Sequence, residues 1–226
     1  MACNYQNKIV SNGLVLCLDA ADKKSYPGSG TVWNDRSGNS INGTLVNNPT
    51  FNSDNSGSIV FDGTNDVVNA STSIINRTNG QEITVSCWIK PSRTSGQYSV
   101  FCANRSNDNN IYNWMFYQHT INGVISFHGA NQNPSSYVPT INRWINVTNT
   151  VTAAGLSRLY VNGVLTYTVT GYTYGNGTPS RLGIGANAGA LEPFQGNIAE
   201  VLIYNRALTV EEIKQNFNST RGRFGI

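Results

Sequence analysis

The densest run of groups able to do chemistry lies between Asn104 and Tyr137. Asn104-Arg105-Ser106-Asn107-Asp108-Asn109-Asn110 leads into Tyr112 and Trp114, and His128, Asn131, Gln132 and Tyr137 follow. Sugar recognition needs a flat aromatic face for the apolar side of a ring. It also needs amides and carboxylates for the hydroxyls, carried on loops at a rigid edge. This stretch supplies both. Asn104, Arg105, Asn107, Asp108, Tyr112, Trp114, His128, Asn131 and Tyr137 are therefore the candidate glycan-binding residues. Tyr172 and Tyr174, in a glycine-rich loop, are a second candidate. Packing in the core or on the surface competes for each of these rings.

Other chemistries are less well provided for. The glutamates are Glu82, Glu192, Glu200, Glu211 and Glu212. Glu211 and Glu212 belong to a helix start, and Glu200 is the one acid in a buried-looking strand. A general-acid role for Glu200 competes with pairing to a neighbour or to a structural ion. His119 and His128 flank one hairpin, without an obvious nucleophile. No Gly-x-Ser-x-Gly elbow and no phosphate loop occur. The expectation is a protein that is not an enzyme. Asp62-Gly63-Thr64-Asn65-Asp66 packs hard oxygen ligands into a tight turn, which suits a structural calcium, with an ordinary Asp-Gly turn as the alternative.

Composition narrows the partners. Charged residues are 12% of 226, about half the usual share of roughly 25%. The net charge of +3 is scattered, so no nucleic-acid footprint is expected. Arg221-Gly222-Arg223 is the one basic cluster and reads as a solvated tail, or else an anchor to a partner. No stretch is long enough to insert in a membrane, and Met1-Ala2-Cys3-Asn4 does not open a signal peptide. Cys3, Cys17, Cys87 and Cys102 are accordingly read as reduced, with a Cys87–Cys102 bridge as the alternative.

Elements able to position these groups are mostly strands. Asparagine is the commonest residue and glycine numbers 22, which favours short strands and tight turns. Gly13 to Ala20, Ile83 to Lys90 and Ile198 to Tyr204 read as buried strands. Asn122-Gly123 signals a type I′ hairpin, and Asn162-Gly163 turns the chain again into Val164 to Thr170. Thr209-Val210-Glu211-Glu212 has capping-box spacing, with Leu208 and Ile213 placed for a hydrophobic staple. The pattern predicts an all-β, two-sheet antiparallel sandwich with one short C-terminal helix. Residues 1–12 read as a polar arm, 13–218 as one domain and 219–226 as a tail.

Four pieces then carry a resemblance. They are Gly57 to Gly63 with Asn65-Asp66, Ile83 to Pro91, Leu159-Tyr160-Val161-Asn162-Gly163, and Glu200-Val201 through Ile203 to Leu208 with Glu211-Glu212-Ile213. In this order the chain resembles laminin-G-like, concanavalin A-like jelly-roll domains. The resemblance implies that jelly roll, which hosts lectins, adhesion modules, lyases and spacers alike. It also implies a calcium held by acids of the Asp62–Asp66 turn and of the last strand, here Glu200. The family's common Asp-Glu reads Ala199-Glu200, so one ligand is missing. The catalytic Glu-x-Asp-x-x-Glu of related glycan hydrolases is not present. Asp19-Ala20-Ala21-Asp22 through Trp33-Asn34-Asp35-Arg36-Ser37-Gly38 resembles the version of the domain in tailed-phage virion proteins. That implies a virion-surface binding or structural module, made in the host cytoplasm. Its partners would be other virion proteins and host or environmental polysaccharide, with an oligomer compatible with that setting.

Overall fold

The computed structural model describes residues 8–71, 75–93, 97–105, 112–120, 122–131, 133–179 and 181–226; the Tyr112 side chain is outside it. Fifteen strands are present among them. They are β1 (Leu14–Asp19), β2 (Val32–Trp33), β3 (Gly43–Val46), β4 (Thr50–Asn52), β5 (Ser58–Asp62), β6 (Val67–Ser71), β7 (Ile83–Pro91) and β8 (Ser99–Arg105), followed by β9 (Tyr112–Gln118), β10 (Ile125–His128), β11 (Ile145–Val151), β12 (Ser157–Val161), β13 (Val164–Val169), β14 (Arg181–Ile184) and β15 (Gln195–Tyr204). One helix, α1 (Val210–Thr220), and a 3-10 turn, Arg221–Phe224, close the chain.

The strands form two antiparallel sheets. One runs β13-β12-β11-β7-β15-β5-β4, with β1 also on β15, and the other runs β10-β9-β8-β14-β6-β3-β2. The core between them takes Leu16, Leu18, Val85, Ile89, Val201 and Ile203 from one sheet and Phe101, Trp114, Phe116 and Phe127 from the other. This is the predicted sandwich.

β15 organises the first sheet. β7 pairs along its length, while β5 takes its first half and β1 its second. Its two faces are both covered, as its unbroken apolar run requires. Ile198, Val201 and Ile203 face the main core, and Leu202 and Tyr204 face a smaller cluster under α1. The capping box forms as spaced: Glu212 N–H donates to Thr209 Oγ1 at 3.3 Å and Thr209 N–H to Glu212 Oε2 at 2.9 Å. Leu208 and Ile213 meet in that smaller cluster as the staple. The Asn162-Gly163 turn has φ of 50° and 75°, the double positive φ that a type I′ turn needs.

Both ends depart from the expected solvated arm and tail. Ile9 and Val10 are buried with Leu202 and Ile213, and Tyr204 Oη donates to Val10 O at 2.9 Å. At the other end Phe224 stacks on Trp88 with centroids 4.0 Å apart. Arg223, of the basic cluster, is buried against Asp19 at 2.9 Å. The apolar Ile9, Val10 and Phe224 cover a sheet face that would otherwise meet water.

The stretch with the virion-protein resemblance is a scaffold. Asp35 accepts the Cys17, Ser37 and Ile41 N–H groups and the Ser37 hydroxyl, at 2.7–3.1 Å. The Ser25 hydroxyl accepts Asp19 N–H and donates to Asn34 O. These bonds pin the long connection against β1. Cys17 is disulfide-bonded, which corrects the all-reduced expectation; its partner lies outside the described residues. Cys87 and Cys102 are free and buried, so the alternative bridge is not formed either.

Candidate functional site

Two loops at one end of the sandwich enclose a cleft of about 280 Å³, lined by residues 76–79 and 174–178. A single side chain ties the loops together. Asn113, on β9 and 1% exposed, accepts Arg77 N–H at 2.7 Å. Its amide donates to the carbonyls of Arg77, Gly175 and Gly177, at 2.7, 3.0 and 3.3 Å. Tyr174 completes the join: its N–H donates to Asn79 Oδ1 at 2.9 Å and its hydroxyl to Gln81 O at 3.0 Å. A buried amide with its donors and acceptors satisfied holds both walls rigidly.

Trp114 and Asn104 act beneath this cleft instead of in it. Trp114 is fully buried, and its Nε1–H donates to Ile75 O at 3.2 Å. Asn104 is fully buried, and its amide donates to Asn76 Oδ1 at 2.7 Å. Neither presents a group to solvent, which corrects their placement as sugar contacts. The reason is strand alternation: Trp114 and Phe116 face the core, while Met115 and Tyr117 face out. Tyr172 is likewise a core residue beside Phe127, at 5.7 Å between centroids. Tyr174 does line the cleft, but only 3% of it is exposed, so it offers an edge and not a stacking platform.

The cleft's chemistry is set by amides and hydroxyls, from Asn76, Thr78, Asn79, Asn176 and Thr178. Among its described lining residues the one formal charge belongs to Arg77, 8% exposed. Arg77 Nε donates to Glu82 O at 3.0 Å and Nη1 to Asn76 O at 2.9 Å. Burial lowers the Arg77 pKa from its usual value, with Tyr174 acting the other way. The Glu82 carboxylate accepts Ala207 N–H at 3.1 Å and Ala153 N–H at 3.4 Å, and does not line the cleft.

Arg105 and His128 come together elsewhere, on the outer face of the second sheet. Arg105 Nη1 bonds both Glu192 oxygens at 2.8 and 2.7 Å, and Asn187 Nδ2 reaches Glu192 Oε2 at 3.3 Å. Ala190 and Glu192 both have positive φ, 60° and 59°, so the ion pair holds a bent loop against the sheet. Tyr117 sits between His119 and His128, at centroid distances of 6.3 and 6.2 Å, and His128 pairs with Met115, four residues from His119, so the two histidines do not meet. Burial, then Arg105, lowers the His128 pKa to about 4, which leaves it neutral near pH 7.

The remaining candidates scatter. Asn131 is exposed in the turn after β10, next to Ala130, whose N–H donates to Thr173 O. Tyr137 is half-buried against the main core. Tyr112 lies on β9, and Asn107, Asp108 and Gln132 lie outside the described residues. Of the two cleft loops, the one that begins at Tyr174 was the second candidate, and residues 76–79 escaped the sequence reading. Each loop carries an Asn-x-Thr triplet, Asn76-Arg77-Thr78 and Asn176-Gly177-Thr178.

The proposed metal set does not assemble. Among the described residues no three His, Cys, Asp or Glu side chains cluster. Asp62 pairs with Gln195 and Glu200 with Asp19, five residues apart on β15, or roughly 16 Å at strand rise. Asp66 Oδ2 accepts Asp62 N–H at 3.0 Å, and Asp62 Oδ1 accepts Thr64 N–H at 2.7 Å. The turn is thus closed by its own amides, and calcium would rest on Asp62 and Asp66 alone. Glu200 is 2% exposed, with its pKa raised to about 8 by burial and then by Asp19, against Arg223. A substrate cannot reach it.

Comparison with known proteins follows the fold. No helix among the described residues is long and apolar enough to cross a membrane. No curated protein matches the sequence. Among solved structures, the binding domain of Paraclostridial Mosquitocidal Protein 1 superposes with a TM-score of 0.72 at 20% identity, over 92% of this chain and 52% of that one. Domain 4 of AbnA, a GH43 extracellular arabinanase from Geobacillus stearothermophilus, in complex with arabinotriose, gives 0.68 at 17%, over 90% and 97%. Trypanosoma rangeli sialidase in complex with the inhibitor DANA gives 0.67 at 16%, over 92% and 33%. The chain therefore spans about half of the toxin domain and a third of the sialidase. These likenesses show a shared fold. Residues 62–214, more than half of the chain, match the family model for the Concanavalin A-like lectin/glucanases superfamily, and the chain belongs to that family.

Proposed function

We propose that this protein is a non-catalytic glycan-binding module that takes one or two sugar residues into the cleft between residues 76–79 and 174–178. The observation that carries this is the lining: side-chain amides and hydroxyls on two loops fixed by Asn113. Preformed amide and hydroxyl groups suit sugar hydroxyls, and the cleft's volume is at the small end for ligand sites. A similar fold with arabinotriose bound, and the toxin binding domain, support a binding reading. The Cys17 disulfide suits an oxidising, exposed setting. A virion setting rests on the resemblance of the Asp19–Gly38 stretch alone, since those residues serve the fold itself. Docking through free terminal arms is disfavoured, because Ile9, Val10 and Phe224 are buried.

A glycan array with the purified domain tests this. Hits should weaken by at least about tenfold in Thr78→Ala and Asn176→Ala, roughly 1.4 kcal/mol of binding. Both residues are exposed, so stability should stay within about 0.5 kcal/mol. A blank array, or hits untouched by either change, would remove the cleft from the account.

A further inference from the structure

We infer that Asn176 is a site of spontaneous covalent modification, at which the side-chain amide is lost as ammonia and a carboxylate takes its place on the cleft. The modification stands without the glycan reading; its effect on binding rests on that reading. An asparagine followed by glycine is open to this reaction, because glycine has no side chain to block the approach of its own backbone nitrogen. Six such pairs occur in the chain, at Asn12, Asn42, Asn79, Asn122, Asn162 and Asn176. The fold restrains five of them. Asn42, Asn79 and Asn162 each accept a backbone N–H on Oδ1 at 2.9 Å, from Asp35, Tyr174 and Asn146. At Asn122 the attacking nitrogen is held, since Gly123 N–H donates to His119 O at 3.1 Å. At Asn12 the joining peptide is held, since its carbonyl accepts Arg206 Nε at 3.0 Å.

Asn176 has none of these restraints. Among the described residues its side-chain amide, its carbonyl and the Gly177 N–H make no hydrogen bond. It is also exposed to water. Asn113 bonds the carbonyls of Gly175 and Gly177, which fixes the peptide units on either side and leaves the Asn176–Gly177 unit between them free to turn. Glycine on both flanks lowers the cost of that turn. The Gly177 nitrogen loses its proton to water and attacks Asn176 Cγ. A C–N bond forms, the Cγ–Nδ2 bond breaks, and the leaving nitrogen takes a proton from water and departs as ammonia. Water then opens the five-membered imide at either carbonyl, to aspartate or to isoaspartate. The sum is amide and water to acid and ammonia, with no electrons exchanged. Asn79, the other Asn-Gly pair on the cleft, is held by Tyr174, so the change falls on one wall.

The experiment incubates the folded full chain at mildly alkaline pH and follows each pair by peptide mass spectrometry. The tryptic peptide Leu159–Arg181 carries Asn162 and Asn176 together, so one spectrum compares them. Asn176 should turn to acid at least about fivefold faster than Asn162, the factor set by one hydrogen bond that need not break. In denaturant the two rates should draw together, because glycine follows both. Gly177→Ala should slow the reaction at Asn176 and leave Asn162 as it was. Equal rates at the two positions in the folded chain would overturn the inference. A gap that persists unchanged in denaturant would overturn it too, since local sequence and not the fold would then set it. Affinity for the strongest glycan-array hit is measured separately on the aged chain, and should fall about tenfold, as in Asn176→Ala. Unchanged affinity with Asn176 fully converted would remove Asn176 from the glycan reading and leave the modification standing.

Discussion

Arg77 and Arg105 sit in two polar regions of the same sheet end, and they differ in what they hold. Arg105 grips both oxygens of Glu192 on the sheet's outer face, so its charge is matched within the fold and its work is to hold a bent loop. Arg77 donates to two backbone carbonyls and helps line a cleft whose other described lining groups are uncharged. Arg223 repeats the first pattern more deeply, buried against Asp19 beside a Glu200 that burial keeps protonated near neutral pH. The lesson is that an arginine's surroundings, and not its presence, mark a site. The described side chains of the region richest in aromatic and charged residues pack into the fold, and the plainer, amide-lined cleft is the one we propose for a ligand.

The largest effect should come from the deepest matched pair. Arg223→Ala strands the buried Asp19 carboxylate and should cost about 3–5 kcal/mol in a denaturant titration. A loss near zero would mean that the Arg223–Asp19 pair does not hold the fold, and the contrast would fail.

Glu200→Gln sharpens the same contrast through pH. The folded pKa of about 8 lies above the ordinary carboxylate value of about 4.3, so the folded chain holds a proton that the unfolded chain releases between them. Stability of the parent therefore falls as pH rises from about 4 to about 8 and then levels. Glutamine has no such slope. Melting temperatures at about pH 5, 7 and 9 should show the variant gaining on the parent, on the order of a few kcal/mol by the top of the range. Parallel curves would refute a protonated Glu200.

Asn113→Ala removes the tie between the cleft loops. It leaves several buried carbonyls unpaired and should cost about 1–3 kcal/mol, with glycan binding lost. Retained binding would show that the loops hold their geometry without it. The smallest effect belongs to Glu192→Gln. This pair is about one-fifth exposed on each side, so its loss should cost about 1 kcal/mol and leave glycan binding as it was.

How much of this the sequence displayed depended on whether the signal was local. The Thr209 capping box, the Asn162-Gly163 turn and the doubly covered β15 are local patterns, and each forms as spaced. The side on which Trp114 falls is not local. Tyr112 to Gln118 has aromatic or apolar residues on both faces, so alternation does not tell which face is the core. The ends were misjudged for a similar reason. Arg223 looks solvated until Asp19, 204 positions away, is placed beside it. The cleft joins loops about a hundred residues apart through Asn113, and nothing in either loop announces the other.

The most direct measurement is glycan affinity and melting temperature together, for Asn176→Ala and Glu192→Gln side by side. The account predicts that Asn176→Ala loses binding by about tenfold with its melting temperature unchanged, and that Glu192→Gln keeps binding while melting lower. The reverse pattern, binding lost with Glu192→Gln and kept with Asn176→Ala, would move the site to the outer face and contradict the account.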